Sequence, residues 1–424
     1  MKVPEKAPGF KPGDIDPAVS TDPESIRLSR EYNRRYLHWD ELQYRDCGKY
    51  GRSNLWYLMK LSRESTSEHI SFPGLEISYN LLDDFHRQIH EMDMSLSTGF
   101  IPSEKLDEKR KMMYAISSIM EESIASSQIE GASTTTKVAK RMLRNNSVPR
   151  DRSEQMILNN YNAMQFIKSK VDEPLSIDLI RELHSIISCG TLEDRRYEGQ
   201  FRDNDSIAVT DPLTGEIYHQ PVPFTNIEAM ISSLCDFAND DEPFIHPIIK
   251  GMIIHFVMAY IHPFLDGNGR VSRSLFYWFT MKNGYRLMEY LSVSKAIKEH
   301  RGNYDLAYLL SETDGNDITY FIRYNLDILM ESISIFSDYL DRKIREQDEA
   351  LEDIRTYDLS TRQEDVLAEM IQSGEPFTVY ELASMFNTNE QNIRKDLILL
   401  KDLGLVDISG KEGHRIKYIY SGRK

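Results

Sequence analysis

Between two strongly apolar stretches of the chain stands the string His262-Pro263-Phe264-Leu265-Asp266-Gly267-Asn268-Gly269-Arg270-Val271-Ser272-Arg273. Pro263 and the two glycines stop the first stretch as a helix, and the second helix starts at Asn268 or Gly269. A loop at a helix N-terminus offers unpaired N–H groups and the positive end of the dipole, and glycines let a phosphate approach the backbone. Arg270 and Arg273 lie one helical turn apart, so both guanidinium groups can face one phosphate chain. Asp266 supplies a hard carboxylate suited to Mg²⁺ bridging phosphate oxygens, and His262 can take a proton from a hydroxyl at neutral pH. A phosphate cradle, a metal ligand and a base are the parts of a nucleotidyl or phosphoryl transfer. The competing reading of the same residues is a capped helix–turn–helix corner with a structural histidine.

The elements that must position this loop are mostly helical. Lys111 to Gln128, Pro247 to Ile261, Val271 to Lys282 and Ile318 to Gln347 repeat apolar residues at three- and four-residue spacing. Ile207-Ala208-Val209 and Ile217-Tyr218, separated by the turn residues Asp211 to Gly215, read as a hairpin. The 424 residues suit two or three domains: a disordered, Pro- and Gly-rich lead (1–25), an aromatic-rich helical segment (26–110) around Tyr36, Trp39, Tyr44 and Trp56, a helical core (111–345) and a terminal module (356–424). A charged stretch from Arg342 to Arg355 suggests the last boundary. The net charge of −16 argues against a chain that coats nucleic acid or an anionic membrane through bulk charge. Three scattered cysteines, Cys47, Cys189 and Cys235, fit neither a disulfide scaffold nor a cysteine zinc site, and no apolar run is long enough to span a bilayer. With no signal-peptide pattern in the lead, the expectation is a soluble cytoplasmic protein.

The twelve-residue string resembles the signature HxFx(D/E)GNGRxxR of the Fic-domain family, protein adenylyltransferases that move AMP from ATP to a hydroxyl of a target protein. Every specified position matches, and the likeness extends over roughly residues 110 to 330, including His246-Pro247 and Gly199-Gln200-Phe201-Arg202. The resemblance implies a mainly α fold with a β-hairpin flap. His262 is then the general base, and Asp266 holds Mg²⁺. Gly267, Asn268 and Gly269 make the anion hole for the α- and β-phosphates, Arg270 and Arg273 hold the β- and γ-phosphates, and Phe264 anchors the loop in the core. The hairpin from Ile207 to Pro223 takes the place of the flap that docks a target segment by strand addition, with Ile217, Tyr218 and His219 as its candidates; these residues equally suit an ordinary surface hairpin. Tyr304 falls where the family places a tyrosine near the adenine, or is a core aromatic.

Upstream, Ser126-Ser127-Gln128-Ile129-Glu130-Gly131 ends a helix whose apolar face includes Ile116, Ile119, Met120 and Ile124. Gly131 reads as the terminating residue, and Glu130 in the last turn meets the negative end of the dipole, so a cationic partner is expected. The segment resembles the family's inhibitory motif (S/T)xxxE(G/N), in the class whose inhibitory helix, here about 115–131, precedes the core in the same chain. That likeness pairs Glu130 with Arg273, denying the arginine to the γ-phosphate; removal of AMP by the same glutamate is a further possibility it carries.

The terminal module reads as helix, helix, turn, helix, hairpin: Arg362 to Ile371, Thr378 to Phe386, Asn389 to Leu403, then Leu405 to Ile408 and Arg415 to Tyr420 around Gly410-Lys411-Glu412-Gly413. This is the order of a winged helix-turn-helix. In a DNA-binding reading Asn389, Gln391, Asn392, Arg394 and Lys395 face the major groove, with Lys411 and Arg415 against phosphate. From residue 360 onward, nine Lys and Arg stand against ten Asp and Glu, so protein docking or positioning of a homodimer is an equal alternative. The functional alternatives are an autoinhibited adenylyltransferase and a nucleotide-sensing transcriptional regulator.

Overall fold

A computed structural model describes residues 2–11, 13, 15–96, 108–211, 214–354, 357–374, 376–412 and 414–422. Parts of the expected lead (1, 12 and 14), the hairpin-turn residues Pro212 and Leu213, the expected module start at 356 and Gly413 of the terminal turn lie outside the described residues. The chain is mainly helical and divides into two compact units, 1–103 with 111–333, and 104–110 with 334–424. The division falls within the helix Thr319–Ile354 rather than near 350. Its charged stretch holds neither glycine nor proline, so nothing in it stops the helix.

Residues 1–25 are not a disordered lead where they are described. Asp16 caps the helix Pro17–Thr21 and Asp22 caps Pro23–Arg34, each Asp-Pro pair supplying an N-cap and an N1 proline. Val19 is buried, and the Ala7 N–H donates to Thr313 O at 2.8 Å. Tyr36, Trp39 and Trp56 are buried with Leu28, Leu42, Leu55 and Met59, whereas Tyr44 is exposed. The segment 26–110 also holds an antiparallel hairpin, β1 (Glu68–Phe72) and β2 (Leu75–Tyr79), that the helical reading missed. Its Pro73-Gly74 turn puts Gly74 at φ +80°, and Ile318 N–H donates to Ser78 O at 2.8 Å, fastening the hairpin to the chain beyond the core.

At the centre of the first unit, helix Pro247–Ile261 lies against helix Asn268–Lys282. His246 caps the former and Pro247 occupies its first position. The first helix is apolar on all sides because neighbours surround it, and Ile248, Ile253, Phe256 and Ile261 are inaccessible. Helices Arg152–Ser169, Ile177–Ser188 and Ile227–Asn239 complete the bundle. Two short strands, β3 (Val209–Thr210) and β4 (Ile217–His219), form the expected second hairpin.

The second unit packs helices Thr361–Ser373, Val379–Met385 and Glu390–Asp402 on a sheet of β5 (Phe377–Thr378), β6 (Val406–Glu412) and β7 (Arg415–Tyr420), in the order β5-β7-β6. Val366, Leu367, Met370, Leu382, Ile393, Leu397 and Leu400 fill its core. β6 runs on to Glu412, so Gly410 and Lys411 are strand residues and not part of a turn. Among the described residues, no helix is long and apolar enough to cross a membrane.

Candidate active site

The loop after Ile261 is held by its own side chains. His262 takes the left-handed conformation (φ 51°, ψ 58°), and its Nδ1 lies 3.2 Å from Ala259 O. A carbonyl only accepts, so Nδ1 carries the hydrogen and Nε2 keeps its lone pair. Burial, followed by the nearby His219, pushes the His262 imidazole down to about 4, so it is neutral near pH 7. The Asn268 side chain closes the loop on itself: its Oδ1 accepts from Phe264 N–H at 2.9 Å, and its amide donates to Phe264 O at 2.7 Å. Asn268 can therefore offer a phosphate only its backbone N–H.

Gly267 caps the second helix at φ +88°, a conformation that side chains rarely adopt, with Ile187 3.2 Å from where a Cβ would stand. The first backbone bond of that helix runs from Val271 N–H to Gly267 O, leaving the N–H groups of Asn268, Gly269 and Arg270 ahead of the ladder. Phe264 is inaccessible and stacks on His184 at 3.6 Å, as expected of an anchor. Phe264→Ala is expected to destabilise the chain by roughly 3–5 kcal/mol, read as a lowered denaturation midpoint.

Arg270 does not join Arg273 in the cavity. It is 1% exposed and turns behind the loop, where it reaches Ile187 O and Asp266 Oδ1, each at 3.3 Å, and its Nε has no partner. One helical turn of separation lets two side chains share a side without requiring it, and Arg270 instead bonds to Ile187 O and Asp266. Asp266 is thereby positioned from several sides. Its Oδ2 meets Arg152 at 3.0 Å, and its backbone carbonyl accepts from His184 Nε2 at 2.9 Å. His184 Nδ1 in turn accepts from Gly199 N–H at 3.0 Å, and burial keeps this ring neutral, down to about 4. Spacing in the sequence signalled neither Arg152 nor His184, since both act across the fold.

Glu130 has its expected cation. Its Oε1 lies 2.9 Å from Arg273 NH2, while Arg273 Nε donates to Ser126 Oγ at 2.9 Å and NH2 to Ser126 O at 3.1 Å. Gly131, at φ +93°, ends helix Glu108–Ile129 as read from the sequence. The carboxylate rests on the start of the second core helix: a Cβ on Gly269 would stand 2.3 Å from Glu130 Oε1. Burial raises the Glu130 carboxyl, but Arg273, Arg301 and Arg270 together hold it below the usual carboxylate range. Arg301, an unanticipated participant, also donates to Ile129 O at 3.1 Å, occupying an orphan carbonyl of the helix end. The ion pair is therefore expected to persist throughout the range above the usual carboxylate pKa and to be lost only as pH falls through the depressed value. Any inhibition by Glu130 should then be constant between about pH 6 and 8, checked by labelling across that range.

Glu130, His262, Gly269, Arg273, Arg301 and Tyr304 line one cavity together with flap residues Tyr218 and His219. Its volume of about 140 Å³ is below the roughly 300–1,000 Å³ of common ligand pockets. Tyr304 is 5% exposed and bonded to His255 at 2.9 Å, so it is both a core aromatic and a wall of the cavity. In the flap, Ile217 is exposed, Tyr218 OH donates to Asp211, and His219 is buried. His219 is thus no ordinary surface residue.

On the second unit, Gln391, Arg394 and Lys395 are exposed on helix Glu390–Asp402, but Asn389 caps that helix through Asn392 N–H at 2.9 Å. Asn392 itself is half-buried and donates to Thr388. Lys411 is exposed, and Arg415 stacks over Tyr380 at 4.5 Å. Arg362 pairs with Asp396 at 2.6 Å, drawing one cation away from any surface role.

Residues 174–280 match the Fic/DOC family. A protein adenylyltransferase Fic of Nematostella vectensis is 25% identical over 242 residues, which cover 52% of this chain and 52% of that protein. Protein adenylyltransferase fic-1 of Caenorhabditis elegans is 30% identical over 121 residues, 28% of this chain and 21% of that protein. The chain thus spans about half, or less, of the length of these curated relatives. Among solved structures, a Fic family protein from Desulfovibrio desulfuricans shares the fold with a TM-score of 0.52 at 17% identity, over 80% of this chain and 96% of that one. A C. elegans Fic-1 structure does so with a TM-score of 0.50 at 19% identity, over 75% and 85%. The match spans the hairpin β3–β4, His184 and the whole motif loop, so that residues 174–280 of this chain form a Fic domain.

Proposed function

We propose that the chain is a protein adenylyltransferase that transfers AMP from ATP to a Ser, Thr or Tyr hydroxyl and is held off by Glu130. The observation that carries this reading is the Glu130 carboxylate, seated against Gly269 at the start of a helix and paired with Arg273 at 2.9 Å. An acid fills the place where a phosphate would be bound by N–H groups, dipole and guanidinium. In the active arrangement the N–H groups of Asn268, Gly269 and Arg270 receive the phosphates and Arg273 receives the γ-phosphate. His262 Nε2 takes the acceptor hydroxyl's proton, its oxygen bonds to the α-phosphorus, and the bond to the β-phosphate oxygen breaks to release pyrophosphate.

Asp266 fits Mg²⁺: its side chain is 34% exposed, and its Oδ2 is held by Arg152, whose own side chain is 63% exposed, so the pair is screened by solvent. Among the described residues no cluster of three or more His, Cys, Asp or Glu is placed to hold a metal. When bound, the ion supplies charge neutralisation at the phosphates. Arg270 acts from behind, orienting Asp266. Mass spectrometry of Glu130→Gly protein after incubation with ATP and Mg²⁺ tests the reading: added AMP on a hydroxyl is expected, and ATP binding without any adduct counts against it.

The second unit carries the element order of a winged helix, and a specific observation favours a protein partner over DNA. Tyr380, Ile398, Leu399, Leu403 and Ile408 are exposed apolar side chains, and Ile398 and Leu399 lie one helical turn from Arg394 and Lys395 on helix Glu390–Asp402. A mobility-shift assay with the whole chain at about 0.15 M salt is expected to show no sequence-selective complex. A selective complex lost on Arg394→Ala would restore the regulator reading.

A further inference from the structure

We propose that His219 is a positioning residue of the transfer reaction: it fastens flap strand β4 to the turn that presents His262 and so sets where an acceptor hydroxyl stands relative to Nε2. The inference rests on the adenylyl-transfer reading above, and begins from the carbonyls of the last turn of helix Pro247–Ile261 and of the loop that follows it. Met258 O accepts from His262 N–H, and Ala259 O from the His262 ring. Tyr260 O accepts from His219 Nε2 at 2.7 Å. His262 O and Pro263 O then accept from Arg202, through Nε at 3.0 Å and the backbone N–H at 2.8 Å, and Phe264 O accepts from Asn268.

Two of the residues that satisfy this turn also hold the flap. Arg202 reaches Val222 O at the flap's base, while His219 belongs to β4 itself. His219 is 9% exposed, its ring is 4.8 Å from that of Tyr260, and its Nδ1 lies 2.7 Å from Glu312 Oε2. A carbonyl only accepts, so Nε2 carries a hydrogen, and Nδ1 faces the Glu312 carboxylate. The clasp therefore joins three elements: flap strand, motif helix and helix Arg301–Thr313. A peptide strand added to β4 would take its height above His262 from this clasp. Around His262 itself stand Glu130 and Arg202 as well as His219, and after burial the largest influence holding its proton affinity down is His219. Around His219 stand Glu312, Tyr260 and His262.

The test uses the full chain with Glu130→Gly, comparing His219, His219→Gln and His219→Ala. With ATP saturating, His219→Ala is expected to lower the transfer rate about 10²-fold, the scale of a 1 Å misplacement, with ATP affinity changed by no more than about threefold. His219→Gln, whose amide can still donate to Tyr260 O, should recover most of that loss. A histidine NMR titration of the resting chain supplies a second readout: His262 should titrate at higher pH in His219→Gln than in the parent. An unchanged transfer rate in His219→Ala, or an unmoved His262 titration in His219→Gln, overturns the proposal. If Glu130→Gly alone transfers no AMP although it binds ATP, the adenylyl-transfer reading fails, and the resting-chain titration still decides whether His219 acts on His262.

Discussion

His262→Ala is expected to reduce nucleotidyl transfer by about 10²–10⁴-fold, to background in a labelling assay, while leaving ATP binding nearly intact. In the proposed mechanism the ring ligates no phosphate. Its Nδ1 is committed to Ala259 O, its Nε2 lone pair is available, and burial keeps it neutral, so its removal takes away the proton acceptor and little else. The left-handed backbone at 262 tolerates alanine with strain of about 1 kcal/mol, and the loop stays closed through Asn268 and Phe264. The decisive measurement is a pair of values on one Glu130→Gly background: ATP affinity and transfer rate, with and without the imidazole. A variant that lost affinity as severely as rate would place His262 in nucleotide binding instead of proton transfer.

Glu130→Gly is expected to raise ATP-dependent labelling, including self-modification, by roughly 5–150-fold, the range of a 1–3 kcal/mol coupling between sites. Two effects act in the same direction. The substitution frees Arg273 NH2 for a phosphate and vacates the surface of Gly269, where even a methyl group would collide with the carboxylate. Arg273 does not become an orphan, because Ser126 Oγ and Ser126 O still accept from it, so the fold should survive. Helix Glu108–Ile129 stays anchored by Glu122, which accepts from Tyr277 OH at 2.9 Å and from Ser294 N–H at 2.8 Å. Labelling equal to the parent's, with ATP affinity also equal, would show that the Glu130–Arg273 pair is structural and inhibits nothing.

Legibility was uneven along the chain, for physical reasons. The motif loop announced itself because proline, two glycines and two arginines occur within twelve residues, and short-range rules govern helix ends. The hairpin β1–β2 has a local signal, Pro73-Gly74 between β-prone runs, and the Asp-Pro pairs at 16–17 and 22–23 are helix caps within a Pro- and Gly-rich composition that otherwise suggests disorder. Both are local patterns that a reading weighted towards helical periodicity overlooks. His184, Arg152 and Arg301 could not have been found this way. Each reaches its partner across 82, 114 and 172 residues respectively, so no spacing rule connects them to the site.

By itself, then, the sequence determined that a neutral-capable histidine, a carboxylate and a glycine-rich helix start stand together, and that a glutamate ending an earlier helix lacks a cation nearby in the chain. Those properties follow from covalent neighbourhood, backbone conformation and the helix dipole, which act within a turn or two. Only the tertiary structure decided which cation answers Glu130, that Arg270 turns behind the loop while Arg273 faces the cavity, and that His219 is buried in a clasp. Those outcomes depend on available volume and on which orphan carbonyls lie within 3 Å, and both are set by elements that meet only when the chain is packed.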